Sequence, residues 1–110
     1  MLGVALLLAA CGTGPADERA LRGETVYVRE CARCHMVDGG GVPGVYPNLA
    51  GNPIVTLDSP EPRIETVLEG RESMPAFGGT IPVQKIAEVI TYVRGAWGND
   101  ASPITPAQAK

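Results

Sequence analysis

Five consecutive residues, Cys31-Ala32-Arg33-Cys34-His35, constrain this chain more than any other feature. Two thiols three positions apart project to one side of a helical turn. A histidine follows the second thiol immediately. C-x-x-C-H at this spacing is an attachment signature for haem c, in which the thiols form thioethers and the imidazole lies under the iron as proximal ligand. The pattern also turns up by chance, and three other structural readings compete. A thioredoxin-like C-x-x-C needs a βαβ setting, and no strand-rich pattern surrounds this motif. A four-ligand zinc site needs a second Cys/His pair, whereas the whole chain has three Cys and one His. A structural disulfide across the motif is the third.

Helical periodicity flanks the motif. Residues 17–34 read as one helix, with Asp17 as N-cap and Glu18 favourable in the first turn. Ala20, Gly23, Val26 and Tyr27 share a face. Gly23 within a helix costs about 1 kcal/mol relative to Ala, so it marks either a close helix contact or plain tolerance. Residues 82–97 form the clearest helix: Val83, Ile86, Ile90, Val93 and Trp97 make an apolar stripe, with Pro82 in the first turn. Tyr92 lies beside that stripe, facing the Gly23 notch. Residues 61–69 make a short third helix stopped by Gly70. The stretch 38–60 is rich in Gly, Pro and Asn and reads as loop. The expected class is therefore all-α, with three main helices.

Composition now adds a constraint. Aromatic residues are 5% of the chain, against 14 Gly and 10 Pro. A domain this small usually needs a staple or cofactor to complete its core. A loop of some 20 residues also needs something to wrap around. A net charge of -3 shows no chain-wide basic footprint for nucleic acid.

An iron held by one His needs a second axial ligand or stays open, and a second His is unavailable. Among the three Met, Met1 stands at the start of an apolar N-terminal run that reads as a leader, and Met36 follows the proximal His too closely to reach the other face. Met74 remains, in Ser73-Met74-Pro75-Ala76-Phe77 between the two C-terminal helices. Pro75 biases it toward an extended conformation. The alternative is a core-filling Met.

The ends carry their own signals. Residues 2–10 are apolar and uncharged, too short to span a bilayer but of the length of a signal-peptide h-region. Leu8-Ala9-Ala10-Cys11 resembles the lipobox of bacterial lipoproteins, which implies that Cys11 becomes a lipid-modified N-terminus anchored in a membrane. An ordinary secretory signal with an incidental Cys, or a buried N-terminal helix, are the competing readings. The expected organisation is a signal peptide over 1–10 (lipobox 8–11), a flexible tether over 11–16, a domain over 17–98 and a flexible tail over 99–110.

The motifs together resemble class I monohaem c-type cytochromes of bacteria. The resemblance rests on Gly23-x-x-x-Tyr27, Cys31-x-x-Cys34-His35, Tyr46-Pro47-Asn48-Leu49-Ala50-Gly51, Met74-Pro75-Ala76-Phe77 and Ile90-Thr91-Tyr92-Val93. It implies one haem c, attached through Cys31 and Cys34 and ligated by His35 and Met74. It implies that the Pro47 carbonyl accepts the His35 N–H and that Leu49 packs on the haem. It implies crossing N- and C-terminal helices at Gly23, Tyr27 and Tyr92. Segments 49–53 and 92–99 are further similar to small c-type domains that accompany bacterial dehydrogenases, nitrite reductases and oxidases. The function implied is one-electron transfer rather than catalysis, between periplasmic or membrane redox partners. A five-coordinate haem enzyme or gas sensor, with Met74 displaced, is the alternative. The acidic balance suits a partner with a basic docking patch, although Glu65, Glu69 and Glu72 read equally as a solvated face.

Overall fold

The structure, a computed structural model, describes residues 14–110. The proposed signal peptide, the lipobox with Cys11 and the first part of the 11–16 tether lie outside the described residues. Four helices and a short 3-10 turn follow in order: α1 (Pro15–Glu30), α2 (Ala32–His35), α3 (Glu61–Glu69), α4 (Val83–Gly95) and the 3-10 turn Pro106–Ala109. Extended pairing among the described residues consists of two isolated bridges, Val42 with Tyr46 and Arg71 with Met74. The chain is all-α, as its periodicity predicts, with α1, α3 and α4 as the main helices.

Helix α1 begins earlier than expected. Pro15 fills the first turn, and Asp17 acts from inside the helix, its Oδ2 accepting the Gly14 N–H at 3.2 Å. The acidic first turn, Asp17 and Glu18, and Arg29 in the last turn complement the helix dipole. The single helix expected over 17–34 breaks at Cys31, whose φ of -117° departs from helical values. One separate turn, α2, then carries Cys34 and His35. It ends at Met36, which adopts a positive φ of 67°. The Tyr27 hydroxyl donates to the Met36 carbonyl at 2.6 Å and so fixes that reversal.

Helices α1 and α4 cross at Gly23. A Cβ there would lie 2.9 Å from the Tyr92 Cβ and would overlap the Glu88 carbonyl, so the glycine permits the close approach. Beside the crossing, the Arg22 Nε donates to the buried Glu88 carboxylate at 2.7 Å. Tyr27, Tyr92 and Trp97 form a tilted cluster with ring centroids 5.1 to 5.5 Å apart. Trp97 does not extend the α4 stripe, as the sequence suggests. The helix stops at Gly95, Ala96 is extended, and Trp97 has a φ of 54°. Its indole N–H donates to the Val37 carbonyl at 3.2 Å.

The expectation of a loose tail over 99–110 is corrected. Ile104 and Ala109 are completely buried against α4. Thr91 explains this: its hydroxyl donates to the Ile104 carbonyl at 3.2 Å and accepts the Ile104 N–H at 3.0 Å. Arg94, 1% exposed, donates to the carbonyls of Ser102, Val55 and Leu57. Helix α4 is therefore enclosed nearly all round, by α1 on one side and by the tail and the 55–57 loop on the other. Glu88, Thr91 and Arg94 on this helix are buried hydrogen-bond anchors.

Candidate cofactor site

A cavity of about 420 Å³ opens between α1, α2, α3, α4 and the loops joining them. That volume suits a small-molecule or cofactor site. Cys31, Cys34 and His35 contribute to its wall from one end of the fold, and Met74 from the α3–α4 connection. Val26, Leu49, Val67, Phe77, Ile86, Val89, Ile90 and Val93 make much of the remainder apolar. All seven residues except Cys11 that the sequence singles out thus border one space: Cys31, Cys34, His35, Pro47, Leu49 and Met74. Cys11 lies outside the described residues.

The break after α1 gives the C-x-x-C-H segment its shape. The His35 N–H donates to the Cys31 carbonyl at 2.9 Å, closing the turn on which both thiols sit. The two cysteines are free and half-buried. Burial, then the neighbouring Glu30 charge and Cys34, push the Cys31 thiol up to about 12, so it stands as a neutral thiol at physiological pH. His35 Nδ1 lies 2.9 Å from the Pro47 carbonyl oxygen. A carbonyl only accepts, so Nδ1 carries the proton and Nε2 keeps its lone pair for a metal.

Loop 36–60 is held to this arrangement by its backbone. The Gly41 N–H donates to the His35 carbonyl at 2.9 Å, and Leu49 and Ala50 both donate to the Gly39 carbonyl, at 2.7 and 3.0 Å. Asn99 then ties the loop to the end of α4. Its amide donates to the carbonyls of Leu49 and Val93, and its Oδ1 accepts the Gly51 N–H at 2.9 Å. The sequence reading placed Asn99 in the tail and missed this role; a buried side chain with three partners is legible only in three dimensions.

Two further residues were missed. Arg63 and Arg94 border the cavity, and Arg63 Nε and Arg94 Nη2 are buried without a hydrogen-bond partner among the described residues. Burial lowers both pKa values. The Arg71 charge adds to the effect at Arg63, while Asp58 and Glu61 oppose it at Arg94. Buried cationic donors of this kind call for an anion. Haem c meets every requirement here: a large apolar body, two positions for thioether links, an iron for His35 and Met74, and carboxylates for the guanidinium groups. The residues present fit the group.

The fold and this cavity together define a c-type cytochrome domain. The chain belongs to the family described as cytochrome c oxidase, cbb3-type, subunit III, whose profile matches residues 18–93. Its relatives include the cytochrome c subunit of a quinone-dependent alcohol dehydrogenase from Gluconacetobacter polyoxogenes, 37% identical over 90 residues. That match covers 72% of this chain and 19% of the relative. A gluconate 2-dehydrogenase cytochrome c subunit from Pantoea cypripedii is 34% identical over 99 residues, covering 78% of this chain and 22% of the relative. A cytochrome c6 from Rippkaea orientalis is 36% identical over 81 residues, covering 67% and 68%. The chain therefore spans about a fifth of the dehydrogenase subunits it matches and about two thirds of that cytochrome c6.

Proposed function

We propose that the domain carries one haem c, attached through Cys31 and Cys34 and ligated by His35 and Met74, and moves single electrons between redox proteins outside the cytoplasm. One observation carries the reading: the fold gathers both thiols, a histidine whose Nδ1 is already engaged, and Met74 around a single apolar cavity. Haem c supplies the one-electron couple when bound. His35 offers Nε2, and the Pro47 carbonyl holds its ring in place and raises its basicity. Met74 offers a soft, neutral thioether, which favours the reduced state. If His35 and Met74 both bind the iron, the protein itself would satisfy it and leave no position for a substrate. Val26, Ile86, Val89 and Ile90 keep water from the interior and lower the local dielectric. Arg63 and Arg94, each with a buried guanidinium nitrogen that has no partner among the described residues, would hold the cofactor's carboxylates.

The test is spectroscopic. The oxidised protein is expected to show the weak red charge-transfer band of methionine–iron bonding, and Met74→Ala is expected to remove it and lower the potential. Absence of the band in the unaltered protein, with ready carbon monoxide binding at neutral pH, would favour the five-coordinate enzyme or sensor instead.

The partner we propose is a dehydrogenase that delivers electrons to this domain, as the matched relatives include cytochrome c subunits of alcohol and gluconate dehydrogenases. Rapid-mixing reduction by such an enzyme with its substrate tests this; reduction no faster than by the substrate alone overturns it. Residues 8–11 support lipid anchoring through Cys11, in an extracytoplasmic membrane protein. No helix among the described residues is long and apolar enough to cross a membrane. Stable attachment by acyl chains takes more than one. Cys11→Ser is expected to release the protein from the membrane fraction.

A further inference from the structure

The connection from α3 to α4 folds back on the helix it leaves. Gly70 ends α3, its N–H donating to the Thr66 carbonyl at 2.8 Å. Arg71 and Met74 then exchange backbone hydrogen bonds at 3.1 and 2.8 Å, closing a tight turn around Glu72 and Ser73. Beyond it, the N–H groups of Phe77 and Gly78 donate to the carbonyls of Val67 and Leu68, at 2.9 and 3.0 Å. Backbone alone thus fastens the segment 74–78 along the last turn of α3, and Met74 is the member of that segment whose role depends on reach.

Gly70 lies beneath this return. Its φ and ψ are 77° and 173°, a conformation essentially confined to glycine. A Cβ there would stand 2.7 Å from the Met74 carbonyl oxygen, 2.9 Å from the Ala76 nitrogen and 3.0 Å from the Pro75 carbonyl carbon. All three neighbours are backbone, so none can rotate aside. Any side chain at position 70 must lift residues 74–76 off α3 or turn Gly70 out of its conformation. Gly78 repeats the contact at the far end, where a Cβ would lie 2.9 Å from the Leu68 carbonyl oxygen.

We propose that Gly70 is the positioning residue for Met74: by letting the 74–76 backbone rest on the end of α3, it sets how far the thioether reaches into the cavity. This rests on Met74 being the second axial ligand. Gly70 touches no cofactor itself and acts only through the backbone of residues 74–76.

The experiment uses the full, haem-loaded chain as the unaltered protein, Gly70→Ala, Gly78→Ala and Met74→Ala. Three quantities are read for each: the red band of the oxidised form as temperature rises, global unfolding by far-ultraviolet circular dichroism, and carbon monoxide binding to the reduced form. In Gly70→Ala the band is expected to vanish well before the helices melt. The equilibrium for methionine binding should weaken about tenfold or more, as strain of this size implies, with carbon monoxide binding rising in step. Gly78→Ala, which keeps an ordinary backbone conformation, should shift the same readouts in the same direction by less. It carries the test alone if Gly70→Ala does not accumulate as a haem protein. Loss of the band only at global unfolding, with carbon monoxide binding unchanged, would mean that Gly70 serves stability alone and would overturn the proposal. Failure of the ligand reading is separate and visible: Met74→Ala would then leave the band unchanged.

Discussion

His35 Nδ1 and the Pro47 carbonyl oxygen lie 2.9 Å apart, and the residue that makes room for this bond is neither of them. Gly41, with a φ of 65°, packs against the 46–47 backbone: a Cβ there would stand 2.6 Å from the Pro47 oxygen and 2.5 Å from the Tyr46 oxygen. Gly41→Ala is therefore expected to push the Pro47 carbonyl off the imidazole. An imidazole that loses this acceptor becomes a weaker donor to iron, which favours the reduced state. The reduction potential should rise, by up to about 60 mV if the two oxidation states differ tenfold in their response. Spectroelectrochemical titration of the variant checks this, and an unchanged potential would show that the bond does no tuning.

Tyr27 links the helix crossing to the cofactor wall. Its ring is fully buried in the Tyr92 and Trp97 cluster, and its hydroxyl donates to Met36, one residue after His35. Burial, followed by the nearby Cys31, Tyr92 and Asp38, raises its pKa from the ordinary 10.0. The unfolded chain loses this proton near pH 10 while the folded chain keeps it, so the unfolded state binds fewer protons above that point. Stability is then full below about pH 10 and falls as pH rises through the folded value. Tyr92, also shifted upward by burial, adds to the same slope. Thermal melts across this range should show a steep alkaline decline that is shallower in Tyr27→Phe. That variant should also lose about 1 kcal/mol at neutral pH with the hydroxyl's hydrogen bond.

The C-terminal segment supplies a third prediction. Ile104 is completely buried, and its backbone exchanges two hydrogen bonds with Thr91. Ile104→Ala is expected to cost about 2 to 5 kcal/mol, the usual range for emptying a packed aliphatic site. A truly loose tail would give no measurable change. Denaturant unfolding followed by circular dichroism separates the two, and Pro103→Ala, at an exposed neighbouring position, serves as the comparison.

That contrast shows which parts of the fold local pattern can reach. The α3 bounds and the Gly23–Tyr92 meeting followed from spacing, because propensity and a small residue on an apolar face act locally. The C-x-x-C-H residues and Met74 were identified by their chemistry, and the fold brings them to one cavity. The break at Cys31 was hidden, since the helical pattern runs through it unbroken. Arg94 and Thr91 lie off the apolar stripe that marks their helix and carry no local signal of burial. Their partners, at Val55, Leu57, Ser102 and Ile104, come from segments with no periodicity of their own. Arg63 gave no signal at all in the sequence, as its meaning depends on a cavity formed by four helices and the loops between them.

The cavity itself yields the last prediction. Its walls include Val26, Ile86, Val89 and Ile90, which belong to the same buried cluster that joins α1 to α4. At about 420 Å³, leaving it unfilled would cost on the order of 10 kcal/mol by the usual scaling with cavity volume. A domain of this size has a total stability of about 5 to 15 kcal/mol. Water entering the space would lessen the penalty but would also meet an apolar wall. Arg63 and Arg94 would meanwhile keep buried charge without an anion. The double variant Cys31→Ser with Cys34→Ser, made under conditions that withhold haem, should therefore lack a cooperative melt and show little of the helix content of the loaded protein. Adding haem should restore part of that helix, since His35 and Met74 remain; a haem-free chain with full helix content and a sharp melt would show that the protein core suffices without the cofactor.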